Sequence, residues 1–118
     1  MLEAGPALKV TIHLNRDTGA AHGFLADDIL AFLRQHGIEG ATAIQAYAGY
    51  GAHRQLHTTG AGDVEGQHLP VIIYFIERQS KVDAILESLL ALVTDGLVEA
   101  HPTNVLRSIA SSERVISW

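Results

Sequence analysis

Residues 48 to 69, AGYGAHRQLHTTGAGDVEGQHL, gather three histidines, one arginine and a Gly-Tyr-Gly turn between two apolar segments. His53 and His57 stand four apart, and with His68 they offer neutral imidazoles of the kind that hold a soft divalent metal. In an extended loop a spacing of four puts two rings on no common side, and the surrounding glycines supply nothing to fix their tautomers. A solvated histidine, or one beside a ligand, accounts for them better, and no metal is assigned. Gly49 and Gly51 can adopt φ > 0 and bring backbone N–H groups up to an anion, as turns that serve phosphates do. The plain alternative is a β-bulge or a strand-end kink. Arg54 either makes a bidentate contact to phosphate or carboxylate or solvates the loop.

Elsewhere the chemistry is thin. Asp27, Asp28 and Glu87 read as outward helix charges, and acid–base work by a carboxylate pair needs burial that adjacent helical residues cannot share. There is no nucleophile elbow, no Gly-x-x-x-x-Gly-Lys phosphate loop and no Gly-x-Gly-x-x-Gly after the first strand. No catalytic residue is assigned, and the chain is not read as an enzyme. His13 and His101 fall on separate strands as structural or interface residues. Tyr47, Tyr50 and Trp118 can stack on a base, although packing at a subunit seam is the default for such rings.

A formal net charge of −5, with only 8 lysines and arginines in all, leaves no basic stripe for a phosphate backbone, so nucleic acid is not an expected partner. A small anion remains possible, because a few convergent amides and one cation suffice for it. The 47% hydrophobic content and the absence of cysteine describe a packed domain without disulfides or thiolate metal sites, which suits a reducing cytoplasm. No run reaches the roughly 20 apolar residues of a membrane span, and MLEAGPALKV lacks the features of a secretory signal. The expectation is a cytoplasmic chain with no membrane insertion. Its 118 residues make one domain, residues 1–118, near the size at which partner subunits help.

The elements that must carry the loop follow from periodicity. Leu8, Val10, Ile12 and Leu14 alternate with Lys9, Thr11 and His13 as strand one, followed by turn chemistry over Asn15 to Gly19. Phe24, Leu25, Ile29, Phe32 and Leu33 predict a helix from about Ala21 to His36, closed by Gly37 at C′. Residues 41 to 50 alternate as strand two. The run LPVIIYFIE is too short for a helix and carries proline only at its start, which predicts a central strand. Ser80 to Asp83 reads as a helix-opening box, and the apolar face Val82, Ile85, Leu86, Leu89, Leu90 and Val93 runs toward Gly96. LVEAH predicts a short fourth strand stopped by Pro102. The extension over residues 102–118 is too apolar to be a solvated tail and is expected to pack, on its own subunit or a neighbour.

Strand, helix, glycine turn and strand thus occur twice, with HGIEGATAI answering DGLVEAH. Two such split βαβ units interleave as an α+β ferredoxin-like βαββαβ domain, a four-stranded antiparallel sheet with both helices on one face. Apolar residues on both sides of strands one and three imply that the helix-free face is covered too, and oligomerisation is the simplest cover.

The stretch GIEGATAIQAYAGYG, residues 37 to 51, resembles the PII-like signalling proteins. In these a glycine-rich turn leads through a Gly-hydrophobic-Thr strand to Gly-aromatic-Gly at the base of a long loop. It is most similar to the bacterial subgroup known as a domain of unknown function, within the superfamily of nitrogen regulatory PII and copper-tolerance proteins. The following LPVIIYFIE strand and GLVE turn also match, so the likeness spans roughly residues 8 to 101. The resemblance implies a ferredoxin-like protomer in a homotrimer. It implies an adenine nucleotide such as ATP, ADP or AMP, or another small anion, in the clefts between subunits. The long loop, about residues 51–68, would rearrange on binding and dock onto a target protein, often a membrane transporter or an enzyme. By position, Thr42 matches the strand threonine near the nucleotide, and Gly49, Tyr50 and Gly51 match the loop base that approaches the phosphates.

The chain departs from the pattern beyond Gly51. Main-branch members place Arg-Gln directly after Gly-Phe-Gly, whereas here Ala52 and His53 precede Arg54, so the phosphate contact is displaced onto Arg54 or lost. Asp95-Gly96-Leu97 leaves no room for their second glycine-rich loop. The resulting expectation is a ligand-sensing regulatory protein. The alternatives are a metal-binding trimer of the copper-tolerance type, or a small ferredoxin-like oxygenase or isomerase.

Overall fold

The computed structural model describes residues 2–15, 19–20, 23–51, 57–58 and 69–110, with the backbone alone at 19, 20, 23, 57 and 58. The two apolar alternations become long strands, β1 (Gly5–Leu14) and, further along the chain, one over Val71–Glu77. The full order after β1 is β2 (Gly19–Ala20), β3 (Gly23–Phe24), α1 (Leu25–Gln35), β4 (Thr42–Gln45), β5 (Ala48–Gly49), β6 (His57–Thr58), β7 (Val71–Glu77), α2 (Gln79–Leu92) and β8 (Gly96–Val105). The main sheet has the order β4-β7-β1-β8, antiparallel throughout. This is the ferredoxin-like arrangement expected from the doubled strand–helix–strand pattern.

Both helices lie on one face because their apolar stripes have nowhere else to go. Val10, Ile12 and Leu14 of β1 and Val71, Ile73 and Phe75 of β7 point toward Leu25, Ile29 and Leu33 of α1 and Val82, Ile85 and Leu89 of α2, all buried in one core. Each fully buried aliphatic side chain contributes about 1.5–3 kcal/mol. Helix α1 ends as its glycine foretold. Gly37 has φ +80, its N–H donates to the Arg34 carbonyl, and the Ile38 N–H donates to that of Leu33, a Schellman closure.

Four expectations need correction. Helix α2 begins at Gln79, so Ser80 lies inside its first turn and caps nothing. Instead the buried Glu77 carboxylate accepts the Arg78 N–H at 3.0 Å and faces Lys81 Nζ at 3.5 Å, placing an anion at the positive end of the helix. Helix α1 starts at Leu25 rather than Ala21, because Gly23 and Phe24 are taken up in a two-stranded ladder with Gly19 and Ala20. The last strand does not stop at Pro102 but runs through it to Val105, with Pro102 opposite Leu8. An edge strand tolerates proline because its outward N–H groups need no partner. Gly96 belongs to this strand, not to a helix cap, and a Cβ there would overlap the His13 carbonyl oxygen.

The helix-free face is apolar on one strand and polar on its neighbour. β7 presents Ile72, Tyr74 and Ile76 there, and β1 presents Lys9, Thr11 and His13, opposite them in register. His13 Nε2 hydrogen-bonds Glu99 Oε2 on β8 at 2.8 Å, and Lys9 Nζ stands 4.7 Å from the centre of the Tyr74 ring. Leu106 and Ile109, expected to pack, are exposed on this protomer; residues 111–118 lie outside the described residues. No helix among the described residues is long and apolar enough to cross a membrane.

Candidate functional site

Strand β4 positions the first candidate, Thr42. All four β4 residues are exposed because this is the sheet's outer edge, joined only to β7, with Thr42 opposite Tyr74 and Ile44 opposite Ile72. Thr42 therefore shares the helix-free face with Tyr74. It lines a cleft of about 680 Å³ with Glu39, Gly40 and Ala41 before it, Tyr74 and Ile76 beside it, and Ser108, Ile109 and Ala110 opposite.

The loop base lies at the other end of β4. The Ala46 N–H donates to the Pro70 carbonyl, and then Ala48 and Gly49 form a short ladder with Thr58 and His57. The start of the long loop is thus a two-stranded ribbon. Gly49 packs so close to Pro70 that a Cβ would lie 3.1 Å from the proline Cγ, and a Cβ on Gly51 would overlap the Asn15 side-chain oxygen. Neither glycine has positive φ. The expectation that they are glycines for the sake of a left-handed backbone is corrected: at Gly51 the Asn15 side chain occupies the Cβ position, and at Gly49 a Cβ would press tightly on Pro70. Tyr50 between them is 71% exposed and free to meet a ligand or a neighbouring chain.

Asn15 is the residue that sequence reasoning missed. Its Nδ2 donates to Asp95 Oδ1 at 2.6 Å, and its backbone N–H reaches the Asp95 carbonyl at 3.4 Å. One side chain thereby ties the end of β1, the turn before β8 and the loop base together. In sequence it was only a turn former. Thr42 and the Gly49–Gly51 base are not in one cluster within the protomer, since they flank opposite ends of β4. Arg54, His53 and His68 lie outside the described residues, and His57 is described by its backbone alone. Among the described residues no group of three histidines or acids could hold a metal ion.

The sheet order and the paired helices on one face define a ferredoxin-like fold, with a two-stranded ribbon at the foot of a long connection. The chain belongs to the DUF190 family, described as an uncharacterized ACR, whose model its residues 7–105 match. Among solved structures it is similar to CPII, a nitrogen regulatory PII-like protein from Thiomonas intermedia K12 bound to ADP, AMP and bicarbonate. The TM-score is 0.60 at 21% identity, covering 91% of this chain and 100% of that one. A Thermus thermophilus chain described as a PII-like signaling protein matches at TM-score 0.56 and 20% identity, over 88% of this chain and 91% of that one. The C-terminal domain of a cyclometallase involved in the synthesis of the NPN cofactor of lactate racemase also matches. There the TM-score is 0.56 at 11% identity, over 90% of this chain and 58% of that one. At these identities the likeness is one of fold, shared by signalling proteins and by a domain of an enzyme, so function must be argued from the site.

Proposed function

We propose that this chain is a PII-like sensor. In this reading a homotrimer binds a small anionic ligand, an adenine nucleotide such as ATP, ADP or AMP, between subunits, and the loop over about residues 51–68 carries the bound state to a target protein. The observation that supports it best is the exposure of β4. Ile44 is 50% exposed on an edge strand, beside Thr42 and leading directly to Tyr50. An apolar residue so placed suits a subunit seam, and a seam puts Thr42 of one subunit within reach of a neighbour's loop base. The ADP, AMP and bicarbonate bound by the Thiomonas protein give the ligand class. Glycine at position 51 lets the backbone run against Asn15 and leaves its amides open to an anion, with Arg54 as the cation beyond. Ligand bound at the loop base shifts the loop only by its differential affinity for the two loop states, which is regulation without chemistry.

Isothermal titration with ATP, ADP, AMP, cyclic AMP and bicarbonate, with Gly51→Asp as control, tests this. Heat from one adenine nucleotide, lost in the variant, is the expected outcome. Silence across the panel rejects the nucleotide reading, and zinc or copper titration then tests the loop histidines.

A further inference from the structure

The loop base carries an acid held in place by its surroundings. Between the end of α2 and the start of β8 the chain has only residues 93–95, and this short turn is held against the end of β1. A Cβ on Gly96 would overlap the His13 carbonyl oxygen. The Asn15 N–H reaches the Asp95 carbonyl at 3.4 Å, and Asn15 Nδ2 donates to Asp95 Oδ1 at 2.6 Å. The half-buried Asp95 is thus fixed by a neutral carboxamide, which orients the carboxylate without cancelling its charge. The oxygen of that same carboxamide stands where a Cβ on Gly51 would be. One side-chain amide and one hydrogen bond therefore separate Gly51 from the carboxylate, a path of roughly 6–8 Å.

We propose, resting on the reading of the loop base as the anion site, that Asp95 sets its specificity: the site takes a nucleoside monophosphate in preference to the triphosphate. An anion on the amides around Gly51 lies within about one Debye length of the carboxylate, and partial burial thins the water that screens the two. Unit charges about 7–10 Å apart repel enough to weaken binding roughly twofold per ligand charge even at the dielectric of water, and more where a second subunit closes the cleft. A single terminal phosphate brings a charge of about −1.5 to −2, and each additional phosphate group adds roughly one more. The triphosphate, about two charges richer, is disfavoured by roughly fourfold or more. Base and ribose are neutral and feel none of this, so the carboxylate sorts nucleotides by phosphate count alone.

Isothermal titration with AMP and with ATP, at low ionic strength and in EDTA so that no divalent cation masks the phosphates, compares three proteins. These are the intact chain, Asp95→Asn, which keeps an acceptor for Asn15 Nδ2 but removes the charge, and Glu87→Gln, which removes one charge from an exposed position on α2. Far-UV circular dichroism confirms that each is folded. The intact chain should bind AMP more tightly than ATP. Asp95→Asn should narrow that preference by about fourfold or more, chiefly by tightening ATP, and Glu87→Gln should leave it unchanged. In the intact chain alone, added salt should narrow the preference as well, because screening shortens the reach of the carboxylate. Four results overturn the inference while leaving the nucleotide reading intact: tighter binding of ATP than of AMP by the intact chain, an unchanged preference in Asp95→Asn, equal narrowing in Glu87→Gln, or a preference that widens with salt. Binding of neither nucleotide by any of the three proteins overturns both.

Discussion

Replacing Gly51 by alanine tests whether the loop base is held against Asn15 or merely passes it. The new Cβ would occupy the position of the Asn15 side-chain oxygen, so the carboxamide must leave, and with it the 2.6 Å hydrogen bond to Asp95. A hydrogen bond to a charged group contributes about 1.5–3 kcal/mol, and because this one is only part-buried the lower end applies. Asn15→Ala removes the same bond and should cost the same, about 1.5 kcal/mol. In the double variant the obstacle is already gone, so the two effects should not add. The coupling energy should equal nearly the whole of one single-variant cost. Urea unfolding of the four proteins at constant m-value measures this. A neutral Gly51→Ala, or strictly additive costs, would refute the idea that this contact is what makes position 51 a glycine.

Two further outcomes follow from the fold. Gly37→Ala should destabilise by about 1–2 kcal/mol, the cost of a left-handed conformation for a residue with a Cβ, because its φ is +80 while the space around it is adequate, with Lys81 Cε at 3.6 Å; thermal or urea unfolding checks it, and an unchanged midpoint contradicts it. Ile44→Asp should leave the protomer's circular dichroism intact but weaken assembly, since each seam loses about 1.5–3 kcal/mol, roughly ten- to a hundredfold in association; sedimentation velocity reads the change, and an unaltered mass distribution removes β4 from the seam.

Most of the fold could be read from periodicity because its core elements are regular. Val10, Ile12 and Leu14, and Ile29 and Leu33, can bury themselves in only one way once strand and helix are distinguished. What escaped depends on partners distant in the chain. Pro102 looked like a stop because its tolerance comes from an edge position, which only the sheet order reveals. Gly49 and Gly51 were recognised as special for the wrong physical reason, since Pro70 and Asn15 approach them only in three dimensions. Thr42 was reached through a family resemblance. Its cleft was not legible, because the walls come from Leu2 and residues 39–42, 74–76 and 108–110, four segments that no local pattern connects.

The pairing of the first long strand with the last one bears on how the protein is made. Asn15 and Asp95 stand 80 positions apart, yet β1 needs β8 along its whole length. At about 5–20 residues per second the ribosome takes roughly 4–16 s to supply that span. Throughout this interval β1 carries an open edge rich in Val, Ile and Leu. Completion of the sheet consequently waits on β8, and until that strand emerges the nascent chain presents an unpaired edge of β1 open to strand-to-strand association.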